Sequence, residues 1–346
     1  MNSDMWARDI SRKERLPVFV SVVIPTHCRA DLVGTAVASA LDQDFENLEV
    51  VVVIDGEDPR TSQALRAISD PRLRVVDLAI GMGGAEARNI GVREARGEWI
   101  AFLDDDDEWL PHKLSRQMVA ARQSTALWPV VSSRLIVRRP QGDAVGPLRS
   151  YNPARPVSEF LFCRQSFKDG PHAMQTSTLM MRREMMLAVP FRSQLKRHQD
   201  WDWVLRAERV PGAAFTVVEE PLVIYRTEDD RDSIGRALDW EFSMQWSLEM
   251  RGFFSAKAYS WFLASECASR AAKSQAGLKA YAEIAQRFVL EGRPSLRSAA
   301  TMAAFLGLPQ GWREAAPRLA RKGDSRKTSL PIARRKGIHT TLGVEL

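Results

Sequence analysis

Four consecutive aspartates, Asp104 to Asp107, directly follow the apolar run Trp99 to Leu103. Adjacent carboxylates repel one another and cannot all be buried and paired at a strand end. A divalent cation resolves the repulsion, since Mg2+ takes oxygen ligands and commonly uses one or two carboxylates together with substrate phosphates. The bland alternative is a solvated acidic turn, or a cap for a helix near Pro111 to Val119. A second cluster runs from His198 to Trp203 (HQDWDW). A carboxylate among tryptophans sits in a semi-apolar setting, which raises its pKa toward that of a useful base. The tryptophans offer a surface for stacking a sugar ring; the competing reading is a helix start capped by Asp200, with Trp201 and Trp203 in the core. Asp55 precedes Gly56, where a carboxylate either accepts from a nucleobase or ribose or closes an Asx turn. Arg88 follows a glycine-rich link (Gly81, Gly83, Gly84) and can contact phosphate, brace an aspartate or lie on the surface.

The elements that must carry these residues are legible from hydrophobic pattern. Val18 to Ile24 and Leu48 to Ile54 are β-branched runs of the buried-strand type, the first stopped by Pro25. Leu73 to Leu78 and Trp99 to Leu103 complete four strands. Helical spacing fills the intervals at Asp31 to Leu41, Thr61 to Ile68 (with Thr61 as its cap) and Ala85 to Ala95. This alternation predicts a parallel α/β sheet, in which ligands bind beyond the carboxyl ends of the strands. Thr26, Asp55 and Asp104 to Asp107 all fall there. Farther on, strands are expected at Trp128 to Val137, Thr176 to Met181 and Phe215 to Glu219, and a helix at Asp200 to Glu208. From about Ile234 the texture is helical, with helices expected at Ala237 to Arg251, Lys257 to Ser274, Ala276 to Leu290 and Ser295 to Leu306. The expected organisation is an N-terminal tail (1–17), an α/β domain (18–232) and a helical C-terminal region (233–346).

The 346 residues are 45% apolar and 27% charged, ordinary for a globular protein with a sizeable core. No stretch reaches the roughly 18 apolar residues of a membrane span, and Met1 to Arg15 has no secretory pattern, so the cytoplasm is the expected location. Cys28, Cys163 and Cys267 are too sparse for a disulfide framework and lack zinc spacing, and read as buried or idle thiols. The net charge of +6 is concentrated in Arg313 to Lys336, which carries nine Lys or Arg against Glu314 and Asp324. Such a segment is a solvated end or a contact for an anionic membrane surface, at the inner face of the membrane; no nucleic acid partner is expected. The aromatic residues Trp240, Trp246, Phe253, Phe254, Trp261 and Phe262 read as core rather than as a lipid-facing surface.

Taken together, five segments in order resemble the family-2 inverting glycosyltransferases of GT-A fold. They are Val22 to Arg29 (VVIPTHCR), Glu49 to Gly56 (EVVVVIDG), Gly84 to Gly91 (GAEARNIG), Gly97 to Pro111 (GEWIAFLDDDDEWLP) and Gln199 to Arg206 (QDWDWVLR). The resemblance implies an α/β GT-A fold with a mostly parallel sheet and flanking helices, plus the C-terminal helical region. It implies that Pro25, Thr26 and Arg29 line a nucleotide pocket, that Asp55 holds the base or ribose, and that Arg88 stands near a diphosphate. Asp104 and Asp106 match the family's Asp-x-Asp metal pair, with Asp106 the more direct ligand of Mn2+ or Mg2+. Asp105 would face the donor sugar or ribose, and Asp200 matches the catalytic base. Asp107 has no assigned role beyond the turn. The chain departs from the pattern at Ile54, where many members carry a first aspartate, and at Gln199, where many carry glutamate.

The activity so implied is inverting transfer of a sugar from a nucleotide-diphosphate sugar donor to a carbohydrate or glycolipid acceptor hydroxyl, in surface polysaccharide or glycolipid assembly. Asp200 would take the acceptor proton while a metal neutralises the leaving diphosphate. Two other readings compete. A sugar-phosphate nucleotidyltransferase would carry a glycine- and arginine-rich loop after the first strand, where this chain has Pro25-Thr26-His27. A non-catalytic sugar-nucleotide-binding or scaffolding protein would have no need of both the acidic run and Asp200.

Overall fold

The computed structural model describes residues 18–140, 142–164, 173–226 and 239–307. The expected domain boundary near 232 and the basic segment Arg313 to Lys336 lie outside the described residues. The chain begins with β1 (Val20–Thr26), α1 (Ala30–Leu41), β2 (Leu48–Ile54), α2 (Pro59–Arg66), β3 (Leu73–Asp77), α3 (Gly84–Glu94) and β4 (Trp99–Phe102). After the acidic run come β5 (Glu108–Trp109), α4 (Lys113–Gln123), β6 (Trp128–Arg138), β7 (Ala144–Gly146) and α5 (Val157–Phe162). A 3-10 turn (Thr176–Thr178) leads into β8 (Met180–Arg182), α6 (Arg183–Ala188), α7 (Gln199–Ala207) and β9 (Ala213–Arg226). The C-terminal region contains α8 (Trp240–Glu249), α9 (Ala256–Phe262), a π-helical segment (Leu263–Cys267), α10 (Ala268–Lys273), α11 (Leu278–Leu290) and α12 (Leu296–Gly307).

All strands join one sheet in the order β3-β2-β1-β4-β8-β6-β9-β5, with β7 on β6. The β3-β2-β1-β4 half is parallel, as the strand–helix alternation requires. Beyond β4 the sheet is mixed: β8 runs antiparallel to both β4 and β6, β6 and β9 are parallel, and β5 is antiparallel to β9. The parallel expectation therefore holds for one half and gives way beyond β4, where β8 and β5 run antiparallel to their neighbours. Every residue of β1 and β2 is buried, which is why their sequence is a continuous apolar run rather than an alternating one.

Three local expectations are corrected. Pro25 does not stop β1; it pairs with Val53 of β2 inside the strand. On the other side the β1–β4 pairing ends at Val23 and Phe102, so the missing proline N–H falls beyond that ladder. The cap of α2 is Asp58, whose side chain accepts from Thr61 N, and Pro59 opens the helix. Nor does the acidic run cap α4, which starts from His112 without a side-chain cap.

Apolar packing on one face of the sheet and the C-terminal helices is continuous. Val23, Ile100 and Phe102 share a buried cluster with Trp203, Trp246, Phe254, Trp261 and Phe262. The aromatic residues of the helical region are thus core, as expected, with Trp240 and Phe253 partly buried against the same cluster.

Candidate active site

The carboxyl ends of β1, β2 and β4 deliver Thr26, Asp55 and the acidic run to one edge. The turn after β4 is closed by Asp107 N donating to Asp104 O at 3.1 Å. Ser177, in the 3-10 turn before β8, locks it from below: its Oγ accepts from Asp104 N at 3.0 Å and donates to Asp107 Oδ2 at 2.6 Å. Gln175 Nε2 donates to Asp104 Oδ2 and to Asp107 Oδ2, each at 3.1 Å.

Two arginines partly balance the carboxylates. Arg29, just after β1, donates from Nη1 to Asp105 Oδ1 at 2.7 Å and to Asp106 Oδ2 at 2.9 Å. Arg88 donates from Nη2 to Asp104 Oδ1 at 2.5 Å and from Nη1 to Gln199 Oε1 at 2.7 Å. Its position depends on Gly91 one turn later, where a Cβ would lie 2.3 Å from Val23 Cγ1. Only glycine lets α3 approach β1 this closely.

The compensation is incomplete. Burial pushes Asp105 up to about 6, against the opposing charge of Arg29. Burial and then the Asp104 charge raise Asp106. Burial, with Asp104 and Asp106 adding, raises Asp107 well above the carboxylate range, and its Oδ1 is buried without a partner. The side chain of Asp106 is 24% exposed and that of Asp105 7%, so Asp106 is the more reachable of the two. Among the described residues no three His, Cys, Asp or Glu side chains converge into a complete cation cage. The oxygen-only donors and their residual repulsion nonetheless fit a hard cation held by one or two carboxylates with phosphate oxygens completing its shell.

Asp55 is committed to the backbone on its own side of the edge. Its Oδ1 accepts from Met82 N at 2.6 Å and its Oδ2 from Gly83 N at 2.8 Å. It thereby pins the glycine-rich link that opens α3, and Gly56 (φ +100°) lies against Gly81, where a Cβ would meet backbone at 3.0 Å. Each carboxylate oxygen has a second lone pair for a ligand donor. Asp55 N donates to Thr26 O at 2.8 Å, so β1 and β2 end together. Thr26 is buried, and its hydroxyl interacts with the Asp105 carboxylate.

Asp200 stands in the first turn of α7, and its Oδ1 accepts from Trp201 N at 2.8 Å. It is raised to about 6, chiefly by burial with the Asp104 charge adding, while the Trp201 N–H bond and Arg88 oppose the rise. The expected base-like carboxylate and the acidic turn are therefore within electrostatic reach of each other. Trp203 is fully buried and donates from Nε1 to Val189 O, which makes it core and removes it as a stacking surface. Trp201 is partly buried and stacks on His198. Asp202 is fully buried and paired with Arg192 and Arg206, a structural role.

Four residues at the site escaped the sequence reading as contributors. Gln199 counted there only as a lost charge, yet it is the partner of Arg88. Gln175 and Ser177 hold the acidic turn, and the polar run Gln175 to Thr178 just before an apolar strand is the signal that marks them. Tyr225, near the end of β9, is raised by burial and then by Asp107, Asp106, Asp104 and Asp200, which places it in the field of all four carboxylates. Nothing in its local sequence points to this.

Comparison with known proteins bears on the same residues. The model of glycosyl transferase family 2 matches residues 21–186. That segment contains Pro25, Thr26, Arg29, Asp55, Arg88 and the acidic run, and stops before Asp200. The amylovoran biosynthesis glycosyltransferase AmsB of Erwinia amylovora is 27% identical over 254 residues, 69% of this chain and 82% of the relative. The crystal structure of S. aureus TarS 1-349 in complex with UDP-GlcNAc aligns with a TM-score of 0.56 at 16% identity, covering 87% of this chain and 92% of that one. The mannosyltransferase PcManGT of Pyrobaculum calidifontis in complex with GDP-Man and Mn2+ aligns with a TM-score of 0.53 at 19% identity, covering 91% of each chain. At these identities the two structures establish a shared fold.

Proposed function

We propose, from the premise that the chain belongs to glycosyl transferase family 2 and is a glycosyltransferase, that it transfers a sugar with inversion from a nucleoside-diphosphate sugar to an acceptor hydroxyl, with Asp200 as general base. The observation that carries this reading is the placement of Asp200 within electrostatic reach of Asp104, with Arg88 bonded to both Asp104 and the neighbour of Asp200. One carboxylate raised to about 6 lies in the field of an acidic turn suited to a cation and a diphosphate, so a base and a leaving-group site would be neighbours linked by Arg88.

Asp104 and Asp106 would hold Mn2+ or Mg2+, since their side chains are similarly reachable (22% and 24% exposed) while Asp105 is 7% exposed, with Asp106 leading as the family resemblance implies. When bound, such an ion neutralises the charge that develops on a leaving diphosphate. The chain's own groups do the rest. Arg88 fixes Asp104 and adds positive charge near the diphosphate. Pro25, Thr26, Arg29 and Asp55 line the nucleotide side, where the buried Thr26 hydroxyl lies beside the Asp105 carboxylate. Asp105, salt-bridged to Arg29, borders the donor sugar or ribose. Asp200 accepts the acceptor's hydroxyl proton as the new glycosidic bond forms and the bond to the diphosphate breaks, with the oxygen entering opposite the leaving group.

The name of AmsB supports an acceptor in polysaccharide assembly, and we extend this to a carbohydrate or glycolipid hydroxyl. Among the described residues no helix is long and apolar enough to cross a membrane. The basic segment Arg313 to Lys336 supports peripheral contact with an anionic inner membrane face from the cytoplasm. The test is a thermal-shift screen of UDP-Glc, UDP-GlcNAc and GDP-Man with Mn2+ and with Mg2+, followed by NMR of the product's anomeric centre. Stabilisation and an inverted anomer are expected; a retained anomer would sink the single-displacement reading.

A further inference from the structure

The C-terminal helices follow the segment matched by the family, and they touch the residues on either side of Asp200, His198 most extensively. His198 precedes α7 with φ +60°, a left-handed conformation that is uncommon outside glycine and that histidine, with asparagine and aspartate, adopts more readily than other side chains. It is buried. Its ring stacks on Trp201 (centroids 5.0 Å apart, planes 12° apart) and lies 4.8 Å from the Trp246 ring and 5.7 Å from that of Phe262. The polar contact of this cage is Ser243 Oγ, 3.0 Å from His198 Nε2. Ser243 and Trp246 belong to α8 and Phe262 to α9.

The neighbours of His198 are gripped in the same way. Arg197 donates to Asp239 O at 2.7 Å, and its guanidinium lies 4.9 Å from the Phe242 ring centre. Trp246 Nε1 donates to Asp202 Oδ1 at 3.1 Å. Residues 197, 198 and 202 thus face the C-terminal helices, while Gln199 bonds Arg88 and Asp200 lies in the field of Asp104 on the opposite side. A phenylalanine would fill the aromatic cage but would neither meet Ser243 nor tolerate the left-handed backbone. A glycine or asparagine would tolerate the backbone but would leave the cage unfilled. Histidine meets the three demands together.

We propose that His198 is the positioning residue through which α8 and α9 aim Asp200 at the acidic turn, so that the C-terminal helices form the rear wall of the active site. The proposal rests on the reading of Asp200 as the base. His198 itself touches no reacting atom. It sets the direction in which the chain enters α7, and with it the side chain two residues later.

The test uses the full chain and Mn2+, with whichever of UDP-Glc, UDP-GlcNAc or GDP-Man turns over fastest, reading released nucleoside diphosphate. His198→Asn keeps a residue that tolerates the left-handed backbone and removes the ring. It should lower kcat at least about tenfold with donor KM unchanged, because small displacements of a reacting group are costly. Ser243→Ala, which removes only the hydrogen bond, should lower kcat about fivefold. A kcat within twofold of the parent in both variants overturns the proposal. So does a parallel loss of kcat, donor binding and melting temperature in both, which is the signature of a merely structural residue. Asp200→Asn is measured alongside: if it stays active, the base reading fails; if it is inactive while both variants are normal, only the role of His198 fails.

Discussion

At the end of β4, four carboxylates share one short turn and are held by polar groups from elsewhere in the fold: Arg29, Arg88, Gln175 and Ser177. At the start of α7, the donors to the Asp200 carboxylate are backbone N–H groups, of Trp201 and of Asp200 itself, and the turn that carries it is gripped largely by aromatic rings. The first region controls charge with countercharge; the second controls direction with packing. The contrast matches the two tasks in an electrostatic site. A group that must stay anionic and hold a leaving group needs donors around it. A group that must accept a proton does better with few donors, since each hydrogen bond to the charged form lowers its basicity. Arg88 is the element common to both regions.

If the division of labour is right, the largest effect follows from removing the base. Asp200→Asn should cost about 10³-fold in turnover, within the range for general-base catalysis. Thermal stabilisation by nucleotide sugar should be retained, because the donor is held on the other side of the site. Loss of that stabilisation would erase the contrast by making Asp200 part of the donor site. The next largest effect belongs to the acidic turn. Asp106→Ala should weaken Mn2+-dependent nucleotide binding by about 10²-fold, at the upper end of what the loss of a supporting partner alone tends to cost. Calorimetry that finds the same affinity with and without Mn2+ in the parent would remove the cation from the turn.

The two regions also differ in how much of them the sequence discloses. The acidic run and β2 are contiguous and chemically extreme, and their local pattern is sufficient: Leu48 to Ile54 is expected and observed as the same strand. The residues that finish the site come from far away. Gln175 lies 71 residues beyond Asp104, and Gln199 lies 111 beyond Arg88. Such partners are set by how β8 and α7 return to the sheet, and no local period records that. β9 shows the same limit. The expected strand Phe215 to Glu219 is part of Ala213–Arg226, because Glu219 and Glu220 bulge out where Ser133 pairs with Val218 and Arg134 with Pro221. The two glutamates and the proline break the alternation while pairing resumes beyond them, and Tyr225 is delivered to the site by that hidden continuation.

Arg88 gives a smaller and more pointed test. Arg88→Lys keeps the charge but loses the two-pronged geometry that reaches Asp104 and Gln199 at once. Turnover should fall about tenfold, and Gln199→Ala should add little in the Arg88→Lys background if the two side chains act as one unit. Fully additive losses would mean that the two regions are independent and that the bridge is incidental.

The smallest effect concerns pH and decides which carboxylate is titrating. Asp200 is raised to about 6, first by burial and then by Asp104. A base works in its ionised form, so kcat should fall as pH drops through about 6, roughly tenfold for each further unit. Asp105 is also raised to about 6 and could produce the same limb from the donor side. The two assignments separate through Asp104, whose charge helps to raise Asp200 but is not among the main influences on Asp105. In the activity that survives Asp104→Asn, the limb should move to lower pH if Asp200 is the titrating group. A limb that stays in Asp104→Asn and disappears in Asp105→Asn would transfer the titration to the Arg29–Asp105 pair. Countercharge at the acidic turn, and not packing at α7, would then set the working pH.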